Sequence, residues 1–245
     1  MKFASCLLLA STAFVPVAAS ASPLIEYHMH MAPSEGVRRV ALTFDACTGK
    51  VDERILNALV EHRIKATIFV TARWLRRNPA AIATFKTHTD LFEIENHGAR
   101  HVPAIDEPKP LFGLAPAGSP EAVRTEVTGG AAAIAASFGH QPKWFRGAGA
   151  EYTKTSLELI RTLNFRIGGF SMSGDGGASW TATRAESAVA AAKDGDVIIA
   201  HINQPSKPAG EGVVQGILKL KAGGFSFVTL DEGFAAHLPP SSERR

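Results

Sequence analysis

The chain has few cysteines, and their scarcity excludes a fold held together by disulfides. Only Cys6 and Cys47 occur in 245 residues. Cys6 lies in an N-terminal stretch that we expect to be cleaved, so Cys47 has no internal partner in the mature chain. Small exported domains that rely on disulfides contain several paired cysteines. The mature protein must therefore take its stability from a hydrophobic core.

Long hydrophobic runs are also missing. The run from Phe3 to Val15 follows Lys2 and precedes the small-residue motif Ala19-Ser20-Ala21. It is shorter than the roughly 20 apolar residues of a membrane-spanning helix, and its flanking residues are typical of a secretory signal peptide. We therefore predict a cleaved signal peptide at residues 1–21, no membrane span, and a periplasmic or secreted mature protein.

Charge of one sign is not in excess, and nucleotide-binding motifs are missing. The formal net charge is +3, which loss of Lys2 would lower to +2, so we expect neither a nucleic-acid nor a membrane partner. No G-x-G-x-x-G motif follows the first predicted strand, and Thr48-Gly49-Lys50 lacks the upstream glycine of a phosphate-binding loop. We infer no nucleotide binding and no obligate protein partner.

Strand-like and helix-like patterns alternate through the rest of the chain. Runs rich in β-branched and aromatic residues predict seven strands, which are Arg39–Asp45, Ala66–Thr71, Leu91–Asn96, Lys143–Arg146, Phe165–Phe170, Val197–His201 and Phe225–Leu230. Prolines at first helical positions, Pro79 and Pro120, and a capping box at Thr183–Glu186 mark helices between them. This alternation predicts a parallel α/β sheet, either open and doubly wound or closed into a barrel somewhat short of eight strands.

One long segment interrupts the alternation. Residues His101–Ser119 contain four of the 14 prolines and predict a loop, and loops of this length are usually functional or disordered. We expect this loop to line a cleft. The remaining boundaries predict an N-terminal tether at residues 22–37, one domain at residues 38–238 and a polar tail at residues 239–245.

The residues best suited to catalysis fall at the ends of the predicted strands. They are Asp45, His97, His101, Arg146, Asp175 and His201. The carboxyl ends of parallel strands share one side of the sheet, where α/β enzymes build their active sites. His97 and His101 are four residues apart, so on a helical turn both imidazoles reach one metal ion. The alternative for such a pair is two solvated histidines.

These residues resemble the polysaccharide deacetylases of carbohydrate esterase family 4, also called the NodB homology domain. Between Val40 and Leu230 five blocks are similar, in order, to those of the family. Thr43-Phe44-Asp45-Ala46 resembles its T-F-D-D block, and Glu93-Ile94-Glu95-Asn96-His97 with His101 resembles its E-I-x-N-H-[ST]-x-x-H block. Phe145-Arg146-Gly147-Ala148-Gly149 resembles its R-x-P block. Asp175 with Trp180 resembles its Asp/Trp pair, and Ile199-Ala200-His201 resembles its L-x-H block.

The resemblance implies a distorted (β/α) barrel of about seven parallel strands and a metal-dependent hydrolase. Such an enzyme removes acetyl groups from amino sugars, by cleaving a linear amide bond, or from related glycans. Peptidoglycan, chitin oligomers and exported amino-sugar polymers are the implied substrates, and Zn²⁺ is the implied metal. Two alternatives stay open: a non-catalytic glycan-binding relative with a degenerate metal site, and an amidohydrolase that acts on a small non-sugar amide.

The resemblance also implies a role for each matching residue. Asp45 would be the general base and His201 the general acid, with Arg146 orienting Asp45 and Asp175 orienting His201. His97 and His101 would bind the ion. A backbone N–H of Ala148 or Gly149 would meet the developing oxyanion, and Trp180 at the cleft would contact the sugar.

One departure from the family concerns the metal, because Ala46 stands where the family has its carboxylate ligand. Catalytic zinc usually has three protein ligands, so another residue must join His97 and His101. Side chains alternate along a strand, which places Glu95 on the side of His97, and we predict that Glu95 completes the site. Cys47 is the alternative ligand, and a buried Glu95 paired with an arginine is the alternative use of that carboxylate.

Overall fold

The computed structural model describes residues 23–34 and 36–235, so the predicted signal peptide and polar tail lie outside the described residues. The described chain alternates strands and helices. In order, the elements are β1 (Ile25–Glu26), β2 (Arg39–Ala46), α1 (Glu53–Glu61), β3 (Ala66–Val70), α2 (Ala72–Leu75), α3 (Pro79–Thr87), β4 (Phe92–Asn96), α4 (Pro120–Phe138), β5 (Trp144–Phe145), β6 (Glu151–Tyr152), α5 (Lys154–Thr162), β7 (Arg166–Ile167), β8 (Met172–Ser173), α6 (Ala182–Ala190), β9 (Val197–His201), α7 (Ala209–Ala222), β10 (Ser226–Val228) and α8 (Leu230–Gly233).

Eight strands form one parallel sheet, which confirms the predicted distorted barrel. The strand order is β7-β5-β4-β3-β2-β9-β8, and β10 pairs with the first residues of β2. All pairings in this sheet are parallel. Each of the seven predicted strands contributes to it. Within the described chain, β7 and β8 form the two ends of this path, so the barrel is open between them.

The two faces of β2 show how the sequence builds the barrel. Val40, Leu42, Phe44 and Ala46 join the large apolar core beneath the surrounding helices. The alternate residues of the strand, among them Asp45, project into the barrel. Because β2 pairs with β3 on one side and with β9 on the other, both faces are buried, and the strand is almost continuously apolar as expected for a central parallel strand.

The connection between β7 and β8 departs from the predicted alternation. The predicted strand Phe165–Phe170 ends at Ile167, and β8 begins five residues later without an intervening helix. The carbonyl oxygens of Gly168 and Gly169 accept hydrogen bonds from Arg146 instead of continuing a strand ladder. Backbone groups used in this way are unavailable for strand pairing, so the chain crosses from one end of the sheet to the other at this point.

The described part of the predicted N-terminal tether is packed against the barrel. β1 pairs with β6, and His28 and His30 form bridges with Phe170 and Asp196. Met31 is 1% exposed. The physical reason is that side chains alternate between the two faces of this segment: Met29 and Met31 are buried, while the histidines beside them are exposed.

The helices agree with the predicted start signals in two cases and not in a third. Pro79 and Pro120 occupy the first turns of α3 and α4. The predicted capping box at Thr183 is wrong, because α6 begins earlier and Thr181 caps it by accepting from the backbone N–H of Arg184. Within the part of the chain that the structure describes, no helix has the length and apolarity needed to cross a bilayer.

Candidate active site

The site lies at the carboxyl ends of β2, β4, β5 and β9, where the sequence predicted it. Asp45 is paired in register with His201, the last residue of β9. His97 follows β4 and Arg146 follows β5. Asp45, His97 and Arg146 are each at most 3% exposed. The fold therefore brings together side chains that are up to 156 positions apart in sequence.

Arg146 is the central cation of the site, and each of its side-chain nitrogens has a partner. Its Nη1 donates to Asp45 Oδ1 and to Thr43 Oγ1, both at 2.9 Å. Nε and Nη2 donate to the carbonyl oxygens of Gly168 and Gly169, both at 2.8 Å. The guanidinium also lies 4.2 Å from the ring centroid of Phe69. These contacts fix the Asp45 carboxylate, as a charge-assisted pair does when it is shielded from water.

His201 has a carboxylate partner of its own. Its Nδ1 lies 3.1 Å from both oxygens of Asp175, and its backbone N–H donates to Asp175 Oδ2 at 2.6 Å. Asp175 is 1% exposed. An Asp that accepts from Nδ1–H directs Nε2 of the imidazole toward the rest of the site. The site therefore contains two oriented pairs, Arg146 with Asp45 and Asp175 with His201.

Cys47, His97 and His101 form a compact group of candidate metal ligands. One donor atom from each lies within 4.8 Å of the others. Cys47 Sγ is 3.4 Å from His97 Nε2, close to the roughly 3.5 Å that separates sulfur and nitrogen ligands around a tetrahedral zinc. His97 Nδ1 lies 2.7 Å from the carbonyl oxygen of Arg146, so Nδ1 carries a proton and Nε2, which faces the thiol, is the nitrogen that would bind an ion.

The positive groups of the site lower the pKa values of its two acidic side chains, Asp45 and Cys47. Burial would raise the pKa of Asp45, but the positive charges of His97, Arg146 and His201 lower it. Burial would also raise the pKa of the Cys47 thiol, yet the charge of His97 and hydrogen bonds from three histidines lower it well below its usual range.

The histidines shift in the opposite direction. Burial works to lower the pKa of His97, and Asp45 and Cys47 overcome it and raise that pKa to about 9. Burial also opposes the charge on His201, but hydrogen bonds to Asp175 and Cys47 raise its pKa well above the usual value. These shifts favour the anionic forms of Asp45 and Cys47 and the cationic forms of His97 and His201.

Glu95 is not part of this group, and the prediction that it completes a metal site is wrong in this structure. Its Oε2 accepts hydrogen bonds from the backbone N–H groups of Lys143 and Trp144, at 2.8 and 2.7 Å. Strand parity was correct, because Glu95 and His97 share a side of β4. Glu95 nevertheless lies two residues lower on the strand, roughly 6.6 Å below His97, and serves the backbone where β5 begins.

The two predicted substrate-binding residues lie on opposite sides of the site. Gly149 belongs to a turn in which the N–H of Ala150 donates to the carbonyl of Gly147, and its φ of +78° favours glycine. Within residues 23–34 and 36–235, neither Ala148 nor Gly149 donates a backbone hydrogen bond. Trp180 is half-buried after Asp175, and Arg184 lies 4.1 Å from its ring centroid.

Sequence reasoning missed Glu126, which shapes the loop that carries His101. Glu126 is 2% exposed on α4, and its Oε1 accepts from the backbone N–H groups of Arg100 and Val102. A Cβ at residue 98 would overlap this oxygen, which explains why Gly98 replaces the Ser or Thr of the family. The signal in the sequence was a carboxylate between the apolar positions of a helix.

Comparison with known proteins agrees with this geometry. The family model described as "Polysaccharide deacetylase" matches residues 33–168, more than half of the chain. A bifunctional xylanase/deacetylase from Pseudobutyrivibrio xylanivorans is 26% identical over 202 residues, which cover 82% of this chain. The chain spans 31% of the length of that curated relative.

Solved structures show the same fold. A family 4 acetyl xylan esterase from Clostridium thermocellum, in complex with a cobalt ion, superposes with a TM-score of 0.65 at 29% identity, covering 84% of this chain and 97% of that one. A family 4 pseudoenzyme from Bacillus anthracis superposes with a TM-score of 0.63 at 20% identity, covering 81% of this chain and 66% of that one. On the fold, the site and the family match together, the chain belongs to the polysaccharide deacetylase family.

Proposed function

We propose that the protein is a metal-dependent hydrolase that removes N-acetyl groups from an amino-sugar-containing glycan in the periplasm or outside the cell. The observation that supports this most is the pairing of Asp45 with His201 across β2 and β9. Each has its own orienting partner, and both lie beside the Cys47–His97–His101 group. A carboxylate base and a cationic acid on two sides of a metal site suit amide hydrolysis.

The residues present fit a zinc ion without a carboxylate at Ala46. Cys47 would supply a thiolate, and His97 and His101 would each supply an imidazole nitrogen, which leaves a fourth position for substrate or water as in catalytic zinc sites. The carbonyl of Arg146 would hold the His97 ring. When bound, the ion supplies Lewis acidity for the acetyl carbonyl and for the attacking water.

The chain's own residues move the protons. Asp45, held ionised by Arg146, accepts a proton from the water that attacks the acetyl carbon. The carbonyl oxygen gains charge, and we assign the N–H groups of Ala148 and Gly149, which donate to no backbone carbonyl of the described chain, as its donors. His201, kept protonated by Asp175, donates from Nε2 to the departing nitrogen. The products are acetate and a free amine, so atoms and protons balance.

An amide is the bond that uses this arrangement best. An amine leaves from a tetrahedral centre only after its nitrogen is protonated, and the raised pKa of His201 favours the protonated imidazole that this step needs. The relatives named above point to acetylated glycans as the class of substrate. Peptidoglycan, chitin oligomers and exported amino-sugar polymers are therefore the substrates to test first.

Acetate release tests the proposed function directly. Purified protein of residues 22–245, loaded with Zn²⁺, should release acetate from chitin oligomers or peptidoglycan and leave free amines, while Asp45→Asn should be inactive. Acetate release from acetylated xylan alone would mean that the bond cleaved is an ester and not an amide. Acetate release from small non-sugar amides alone would favour the amidohydrolase alternative.

The metal ligands have a test that does not depend on activity. Co²⁺ bound through a thiolate gives an intense near-ultraviolet charge-transfer band, so the wild type and Glu95→Gln should both show this band. Cys47→Asp should bind Co²⁺ without the band, and Cys47→Ala should bind it much more weakly. Loss of Co²⁺ binding in Glu95→Gln with Co²⁺ binding unchanged in Cys47→Ala would return Glu95 to the site.

The second candidate is a non-catalytic glycan-binding protein, which the missing carboxylate at Ala46 favours. Such a protein would bind chitin or peptidoglycan oligomers without releasing acetate and without holding a metal ion. Equilibrium binding of oligomers, measured beside metal content, separates the two candidates.

A further inference from the structure

The long loop between β4 and α4 ends in a tight turn with an unusual residue at its tip. Leu111 and Leu114 exchange backbone hydrogen bonds of 3.1 and 2.9 Å, which leaves Phe112 and Gly113 as a two-residue turn. Both have positive φ, +50° and +77°. Turns of this type favour Asn, Asp or Gly at the first position, where Phe112 stands.

Phe112 is also unusual in its exposure. Its side chain is 76% exposed, and among the described residues the other exposed large hydrophobics are the aliphatic Ile25 and Val37. The exposed ring gains nothing from burial, and a bulky side chain at positive φ strains the backbone. Residues held at such a cost to stability are concentrated at binding and active sites.

The turn is held firmly against the active site. Leu111 is 6% exposed, and a Cβ at residue 149 would lie 2.5 Å from Leu111 Cδ2 and 3.3 Å from Phe112 Cδ2. Gly149 lies in the turn that follows Arg146, and its N–H and that of Ala148 are the candidate oxyanion donors. Phe112 therefore stands at the rim of the site, next to the candidate oxyanion donors.

The rest of the loop is ordered, so the ring is presented on a rigid support. The N–H groups of Ala117 and Gly118 donate to the carbonyls of Pro103 and Ile105, at 3.0 and 2.8 Å. Ala104 and Ile105 are fully buried. The loop begins at His101, one of the candidate metal ligands. Metal binding and presentation of the Phe112 ring would therefore depend on the same segment.

We propose that Phe112 is a sugar-stacking residue, which binds the ring next to the acetylated sugar in the active site. The proposal rests on the proposed function. A phenyl ring has no polar group, so it recognises the C–H face of a pyranose by apolar contact. Trp180 on the other side of the site is less available, because the Arg184 guanidinium covers one face of its ring.

Chain length of the substrate provides the discriminating measurement. Phe112→Ala should raise KM for N-acetylglucosamine hexamers about threefold to tenfold, with kcat and bound Zn²⁺ unchanged. The same variant should act normally on a single acetylated sugar, which does not reach Phe112. Phe112→Trp should keep the wild-type KM, because it restores an aromatic surface. Val37→Ala, which truncates an exposed apolar residue before β2, is the matched control and should change nothing.

Binding to the hexamer keeps this test separate from the proposed function. In an Asp45→Asn background, calorimetry should show the same threefold to tenfold loss of affinity when Phe112 becomes alanine. If the wild type releases no acetate, the proposed function fails, and this binding measurement still decides the role of Phe112. Unchanged hexamer affinity in Phe112→Ala, or an equal loss with the monomer, would overturn the stacking proposal.

Discussion

Asp45 and His201 are single residues whose charges depend on their neighbours. Arg146 keeps the carboxylate ionised, and Asp175 keeps the imidazole protonated. If His201 is the general acid, His201→Ala should lower kcat by about 10²–10⁴-fold, because the leaving nitrogen loses its proton donor. Steady-state kinetics on chitin oligomers measure this loss.

Metal content is the control for that variant. Bound Zn²⁺ should stay at the wild-type level, because His201 is not one of the three candidate ligands. Asp175→Asn should have a smaller effect in the same direction, since the imidazole remains present but less well oriented. Loss of Zn²⁺ in His201→Ala would show that this histidine binds the ion.

For single residues, the sequence predicted correctly which side chains meet at the site, but it assigned the third candidate metal ligand wrongly. Strand ends of a parallel sheet share one side, so Asp45, Arg146 and His201 were expected to meet and do. Glu95 was misassigned because parity specifies a side of the strand and not a depth along it. The backbone N–H groups that Glu95 accepts from, at Lys143 and Trp144, belong to a neighbouring strand and are invisible in a linear pattern.

Among the elements, α4 supports the loop that carries His101, a residue of the candidate metal site. Glu126 holds the backbone on both sides of His101, and His101 has a φ of +68° that needs such support. Glu126→Ala should therefore weaken Zn²⁺ binding about 10–100-fold, as the loss of outer-shell partners does in other metal sites. Competition with a chelating dye measures the affinity. Glu121→Ala, an exposed carboxylate on the same helix, should leave it unchanged.

The packed N-terminal segment makes a second prediction at this scale. A Cβ at residue 169 would overlap the carbonyl oxygen of Tyr27, so Gly169→Ala should destabilise the protein by about 1–3 kcal/mol through overpacking. Urea denaturation measures the change. At Gly223 an added Cβ would lie 3.3 Å from its nearest neighbours, so Gly223→Ala should cost much less. Equal losses in both variants would mean that this segment does not pack closely in solution.

The elements that the sequence missed are those with weak local signals. β8 is only two half-buried residues, Met172–Ser173, and it exists because β9 offers an edge to pair with. α5 was overlooked although Thr153 caps it. The β7–β8 connection could not be foreseen, because its course is set by hydrogen bonds to Arg146.

For the whole molecule, a glutamate of β4, Glu93, makes the free energy of unfolding depend on pH. Burial raises the pKa of Glu93 from 4.5 to about 7, against hydrogen bonds from Thr229 and Asp231. The folded state thus prefers the protonated acid. The contribution of Glu93 to the free energy of unfolding is complete below pH 4.5. It falls by about 2–3 kcal/mol as the pH rises to about 7.

Urea denaturation across pH 4–8 tests this dependence. The difference in stability between wild type and Glu93→Gln should shift by about 2–3 kcal/mol over that range in favour of the glutamine. Glu158→Gln, at an exposed position, should run parallel to the wild type. A constant difference between Glu93→Gln and wild type would show that Glu93 titrates normally.

The thiolate of Cys47 would tie the proposed activity to the redox state of the surroundings. Cys47 is 7% exposed, and its lowered thiol pKa favours the thiolate, the form that reacts with hydrogen peroxide. Peroxide would convert the thiolate to a sulfenate, with water as the other product, and the ion would lose its soft ligand. Residues 23–235 contain no second cysteine to form a disulfide with the sulfenate, so within this part of the chain recovery requires an external thiol. A family member with a carboxylate ligand is free of this sensitivity.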